Sequence, residues 1–320
     1  MRILMFGRGV ISTIYGQALH EAGHDVEFYI RPGRAAVYGD EVRLDLIDAR
    51  RSPLGTRVRS SAPVRFRETL DPGDGFDLVI VSVAHHRLAA ATTFLGPRVG
   101  DATVLVFGNV WDEPAAATAS LPAAQVMFGF PQAGGGFGDD DVLHGALMRG
   151  VILGMSGASP TARERDVQTA FRSADLTVRV ERDMRGWLFL HFAADVGMHA
   201  QGHRHGGLAR MIGHRPALRD ALLTARELLP ILTARGVDLA RHRRAMLPYR
   251  MPTATSAAMA WATRRFSIAR ASLAAHTDPD ADEPRAVLHD ATREARRLGV
   301  PTPRLDAALA ASPRTASRTT

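Results

Sequence analysis

The sequence predicts an α/β protein in which an N-terminal Rossmann-type, doubly wound sheet is followed by an all-α C-terminal domain. Short β-branched runs alternate with helical patterns through the first half of the chain. A glycine turn, Gly7-Arg8-Gly9, stands between the first of those runs and the first helical pattern. Beyond about residue 185 only helical periodicity remains. The expected division is 1–178 for the Rossmann domain, 179–312 for the helical domain and 313–320 for a disordered tail.

The elements follow in order. Arg2–Phe6 is a short apolar run that ends directly in glycine, as a buried first strand does. Thr13–Ala22 places Ile14, Ala18 and Ala22 on one side of a helix, and Gly23 supplies a residue that tolerates the left-handed cap. Val26–Ile30 reads as the second strand. Leu78–Val83 and Thr103–Phe107 are unbroken β-branched runs of the kind found in strands covered on both faces, and Gln125–Phe130 is a weaker one. Phe130–Phe137, with Gly134, Gly135 and Gly136, is expected to be a flexible loop. Trp187–Met198, Ala217–Ala234, Ala257–Ala275 and Pro284–Leu298 carry helical spacing. Gly236 and Gly299 stand at expected C-caps, and Asp278–Glu283 is a polar break. Met259, Trp261 and Phe266 are expected in the core of the helical half.

Composition narrows the classes of function. With 320 residues, 46% hydrophobic and 23% charged, the chain is long enough for two domains and is not intrinsically disordered. It has no apolar run long enough for a membrane span, and the N-terminus lacks the pattern of a cleavable signal. A soluble cytoplasmic protein without membrane association is expected. Cysteine is absent, which excludes disulfides, thiolate nucleophiles and zinc–thiolate sites. All 40 basic residues are arginine, so a lysine Schiff base, a P-loop lysine and a lysine general acid are excluded as well. The net charge of +7 is uneven. Residues 1–150 hold 14 Arg against 17 acidic residues, whereas 151–320 hold 26 against 16. A cationic second half suits a small anionic metabolite. The arginines are scattered, with one dense cluster at 241–244 (RHRR), so nucleic acid is not an expected partner.

The turn Gly7-Arg8-Gly9-Val10-Ile11-Ser12 has the context that makes a glycine motif informative, after a strand and before a helix. Gly7 permits the tight turn, Gly9 lets a pyrophosphate approach the backbone, and the helix N-terminus offers free amides. Ser12 stands where a third glycine usually serves helix–strand packing. The second strand is followed by Arg31 and Arg34 and by no acid. Two guanidinium groups there suit a 2′-phosphate, so NADP(H) is the expected cofactor. His199, His203 and His205 form an HxxxHxH pattern, read as a polar loop because Gly202, Gly206 and Gly207 suggest that the helix is ending. No metal site is expected.

The early glycine turn, HEAGHDVEFYIRPGR, LVIVSV, GNVWDE and RRLGVPTPRLDAAL follow one another along the chain. In that order and spacing, over roughly residues 1–310, the chain resembles the ketopantoate reductase (2-dehydropantoate 2-reductase) family. The resemblance implies a Rossmann domain and a helical domain with the active site in the cleft between them, and hydride transfer from NADPH to a 2-keto acid. A homodimer through the helical domain is the accompanying expectation. The family's catalytic helix carries a lysine general acid and, four residues later, an asparagine. Alignment on that spacing puts His191 and Asp195 at those positions. The resemblance further assigns Asn109 to the nicotinamide and substrate region, and Glu283 and Ser272 to substrate binding. A second family lysine, after LVIVSV, is replaced by Ala84-His85-His86.

The expected function is therefore that of a divergent NADPH-dependent reductase acting on a small anionic 2-keto acid, or a related keto or imine compound, other than the family's usual substrate. The missing lysines leave two alternatives open. One is a non-redox isomerase or cyclase that uses His191–Asp195 as acid and base. The other is a catalytically inactive NADP-binding protein.

Overall fold

A computed structural model of the protein describes residues 1–274 and 282–311. The expected tail at 313–320 and residues 278–281 of the polar break lie outside the described residues. The chain divides into two compact units, Met1–Leu188 and Phe189–Thr320. The first is a mixed α/β unit and the second is helical, as the sequence predicts.

The first unit begins β1 (Arg2–Phe6), α1 (Val10–Glu21), β2 (Asp25–Tyr29), α2 (Ala35–Tyr38), β3 (Glu41–Asp48), β4 (Thr56–Pro63), β5 (Phe66–Arg67), β6 (Leu78–Val81) and α3 (Leu88–Leu95). It continues with β7 (Thr103–Phe107), α4 (Pro114–Ala117), β8 (Val126–Phe130), β9 (Ala133–Phe137), β10 (Val142–Leu147), β11 (Gly150–Gly154), α5 (Ala162–Ser173) and β12 (Thr177–Glu181). The main sheet has eight strands in the order β12-β11-β8-β7-β6-β1-β2-β5. Every neighbouring pair is parallel except β8 with β11.

The inner strands show why β-branched runs were needed. Every residue of β6 and β7 is buried, because both faces of the sheet are covered. Alternate residues of β1 serve opposite cores. Ile3 and Met5 join Ile14, Tyr15 and Phe171 on one face, while Leu4 joins Val79, Leu88 and Leu95 on the other. The α1 helix lies close on the sheet at Gly16, where an added Cβ would stand 2.5 Å from the Phe28 ring and 3.1 Å from Met5. Gly16→Val is expected to destabilise the protein by about 1–3 kcal/mol, the usual cost of overpacking. Urea denaturation monitored by circular dichroism measures this.

A second sheet, order β4-β3-β10-β9, departs from the simple alternation expected of the first half. Its β3–β4 ribbon runs in register from Glu41↔Pro63 to Asp48↔Thr56, and β10 joins β3 in parallel. Arg57 donates to Asp45 at 2.6 Å and Arg59 does so at 3.2 Å, and the Arg57 bond chiefly holds the Asp45 carboxyl down to about 2. The glycine-rich stretch expected to be a flexible loop is β9, paired antiparallel with β10 and packed against α1. Strands without side chains let a helix come close.

The helix α6 (Met184–His205) carries the chain from the first unit into the second. The second unit then holds α7 (Arg215–Glu227), α8 (Leu229–Ala234), α9 (Leu247–Arg250), α10 (Pro252–Arg265), α11 (Ser267–Ala274), α12 (Asp282–Leu298) and α13 (Pro303–Ala310). Two helices expected to be continuous are each divided. Pro230, in the first turn of α8, removes an internal amide, which separates α8 from α7. Extended backbone at Phe266 separates α10 from α11. Leu218, Met211 and Ala260 form a core here, with Met259 packed against it. Trp261, expected in that core, is 61% exposed and lies edge-on to Phe266 at 5.1 Å.

Candidate functional site

The turn after β1 has the features a dinucleotide needs. Gly7 adopts φ +102°, a conformation closed to most side chains, and its amide donates to the Tyr29 carbonyl at 2.9 Å. The carbonyl of Gly9, the N-cap of α1, accepts from the Thr13 amide at 2.9 Å. No side chain caps α1, and no acidic residue lies in its first turn. The leading amides, those of Val10, Ile11 and Ser12, therefore face outward with the positive end of the helix dipole. A Cβ added at Gly9 would meet nothing within 4 Å, which leaves clear space for a group to approach the backbone.

The sheet order puts this turn at a topological switch point, since β1 lies between β2 on one side and β6 on the other. Parallel pairing aligns the C-terminal ends of β1, β2, β6 and β7. Gly7, Arg31, Ala84 and Asn109 accordingly follow neighbouring strands on one edge of the sheet. Ser12, in place of the third glycine, is buried and its hydroxyl lies 2.7 Å from that of Ser82, just beyond β6. Gly16, one turn later, provides the close helix–strand approach that Ser12 does not.

The loop after β2 is held by a residue that the sequence did not single out. Glu68, following edge strand β5, accepts from the Ala35 amide at 2.9 Å. That bond, with those from the Gly33 and Arg34 amides, holds its carboxyl below the usual range. The acid is thus spent on the amides of the loop that carries Arg31 and Arg34. Arg31 and Arg34 are exposed. The Arg34 guanidinium carbon lies 5.3 Å from the centre of the Tyr38 ring, and its Nη2 donates to the Tyr38 hydroxyl at 3.5 Å. Arg8 also reaches Tyr38, at 4.8 Å, and the Phe137 ring at 4.6 Å. Its Nε is buried and has no hydrogen-bond partner among the described residues. Burial lowers its pKa, opposed by Tyr38 and Asp141.

In the second unit, His191 Nε2 lies 3.5 Å from Asp195 Oδ1, one turn apart on α6, with the side chains 31% and 22% exposed. Tyr249 was not anticipated. Burial pushes its phenol well above the usual range, and the negative charge of Asp195 pushes it further, so α9 brings this ring into the field of the pair. Ser272 is exposed near the end of α11, and Glu283 lies half-buried in the first turn of α12. The histidines expected in a loop are in the last turns of α6, which continues to His205 before Gly206 and Gly207. His205 packs edge-on to His214 at 5.4 Å, and burial lowers its pKa, as do the neighbouring His214 and Arg204. Among the described residues, no group of three or more His, Asp or Glu side chains is placed to hold a metal ion.

Residues 3–153 match the model of the family described as ketopantoate reductase PanE/ApbA. No curated protein matches the chain in sequence. Among solved structures, it is similar to a 2-dehydropantoate 2-reductase from Geobacter metallireducens GS-15 (TM-score 0.70, 17% identity, covering 97% of this chain and 98% of that one). A PanE/ApbA family ketopantoate reductase from Ralstonia eutropha JMP134 gives a TM-score of 0.62 at 20% identity, covering 97% and 96%. D-mandelate dehydrogenase in complex with NADH gives 0.67 at 13% identity, covering 97% of each chain. At these identities the solved structures establish the shared fold.

Proposed function

We propose that this chain, a family-level match to the ketopantoate reductases over residues 3–153, is an NADPH-dependent reductase of a small anionic 2-keto acid or a related keto or imine compound. The observation that carries the reading is the glycine turn at the switch point, with an uncapped helix N-terminus and open space beside Gly9. The solved structures with the same fold include a dehydrogenase bound to NADH, which supports a nicotinamide cofactor in general. The preference for NADPH rests on Arg31 and Arg34 and on the engagement of Glu68 with backbone amides.

Gly7–Ser12 would hold the pyrophosphate and Arg31 with Arg34 the 2′-phosphate. Asn109, after β7, would stand near the nicotinamide. When bound, the reduced cofactor supplies a hydride. His191 donates the proton that the substrate oxygen needs as C=O becomes CH–OH, and Asp195, 3.5 Å from its Nε2, orients the imidazole. Glu283 and Ser272 would contact substrate.

Calorimetry should give tighter binding of NADPH than of NADH. Arg31→Ala should narrow that difference by about 1–3 kcal/mol, the scale of a charged hydrogen bond. Equal affinities in the wild type would overturn the NADP assignment. The activity itself is tested by following NADPH oxidation at 340 nm with a panel of 2-keto acids. Tight NADPH binding with no oxidation of any member would favour the non-redox or inactive alternatives.

A further inference from the structure

Arg34, Tyr38, Arg8 and Phe137 form a continuous series of cation–ring contacts at 5.3, 4.8 and 4.6 Å. The series starts on the loop after β2, passes the glycine turn and ends on β9 of the second sheet. One tyrosine ring thus carries two guanidinium groups, of which Arg8 stands between the two glycines of the turn. Beside it lies a recess of about 200 Å³ lined by Arg8, Val37, Tyr38, Glu41, Arg43 and Asp141. Asp141 in that recess offsets the charge of Arg8, whereas exposed Arg34 lies on the outer side of the ring contact.

We propose that Tyr38 is a positioning residue for recognition of the 2′-phosphate, fixing the Arg34 guanidinium before the cofactor arrives. The inference rests on the NADP reading above. An exposed arginine on a loop samples many rotamers, and ordering it on binding lowers affinity. The Tyr38 ring face and hydroxyl together restrict Arg34 in the free protein, so less freedom is lost on binding. Half-buried Arg8 lies 4.8 Å from the same ring and Phe66 packs on it at 5.8 Å, so the ring has contacts of its own apart from Arg34. The effect should depend on the 2′-phosphate, because NADH offers Arg34 no such partner.

The test is titration of the full chain with NADPH and with NADH. Tyr38→Leu should weaken NADPH binding about 3–10-fold, the scale of a lost cation–ring contact, with less than about a twofold change for NADH. Tyr38→Phe, which keeps the ring, should restore most of the preference. Adding Tyr38→Leu to Arg34→Ala should cause no further loss of preference, because the two act through one contact. Should Tyr38→Leu not fold, the unbranched Tyr38→Met takes its place. A wild-type preference for NADPH that survives Tyr38→Leu would overturn the role of Tyr38 and leave the cofactor reading intact. Equal weakening for both cofactors would overturn it also, marking the ring as support for the turn alone. No preference in the wild type would remove the cofactor reading and this inference with it.

Discussion

Replacing His191 with alanine is expected to lower kcat by about 10²–10⁴-fold, the contribution of a positioned general acid, with little change in NADPH affinity. Reduction of a carbonyl needs a proton as the hydride arrives, and no lysine exists in this chain to supply it. His191 is partly exposed, as a donor to substrate must be, and its Nε2 lies 3.5 Å from the Asp195 carboxylate. Asp195→Asn removes the charge while keeping the shape, and should reduce kcat by loosening the orientation of the His191 ring. His191→Lys should recover part of the rate. Steady-state kinetics decide the matter. Wild-type turnover in His191→Ala would eliminate the acid role and return attention to water, Glu283 or the histidines near the end of α6.

Gly9→Val is expected to weaken NADPH binding by about 10–10²-fold while the protein remains folded. The two halves of this prediction have separate physical grounds. Gly9 has φ −74°, which valine adopts freely, and the added side chain would meet no protein atom within 4 Å at its Cβ. The fold therefore has no reason to resist it. The same open space is where a pyrophosphate must approach the backbone, and even modest overpacking costs about 1–3 kcal/mol. Circular dichroism confirms folding and calorimetry reads affinity. Unchanged affinity in a folded variant would show that the turn does not hold the cofactor.

What was legible in the sequence was local. The run of β1, turn and α1 could be read because strand, glycine and helix signals are adjacent. The His191–Asp195 pair came from the family resemblance, whose four-residue spacing fits this helix. The partners joined across the chain were not visible. Ser82 meets Ser12, and Glu68 takes the amides of the loop after β2, through strand neighbours whose order only folding sets. Tyr249 acquires its place near Asp195 from α9, a helix of one turn. The alternation of Val42, Leu44 and Leu46 with Arg43 and Asp45 was a usable signal for β3 that a search for buried parallel strands passes over. Pro230 was an equally plain marker of the break before α8.

The second sheet sets an order for assembly. Its β3–β4 ribbon is made of residues close in sequence and carries its own cross-strand Asp45–Arg57 and Asp45–Arg59 pairs, so it can form early. Its other half is built from β10 and β9, which leave the ribosome only after β6, β7 and β8. Parallel pairing of Arg43 with Val142 and of Asp48 with Leu147 therefore closes a long loop, a slow step in any fold. Until then the ribbon keeps an open strand edge on β3, the kind of edge along which chains join wrongly. Folding yield for this protein should thus be governed by how soon β10 covers β3, so that substitutions along 142–147 affect recovery from denaturant more than the burial of Leu143, Ala146 and Leu147 alone would suggest.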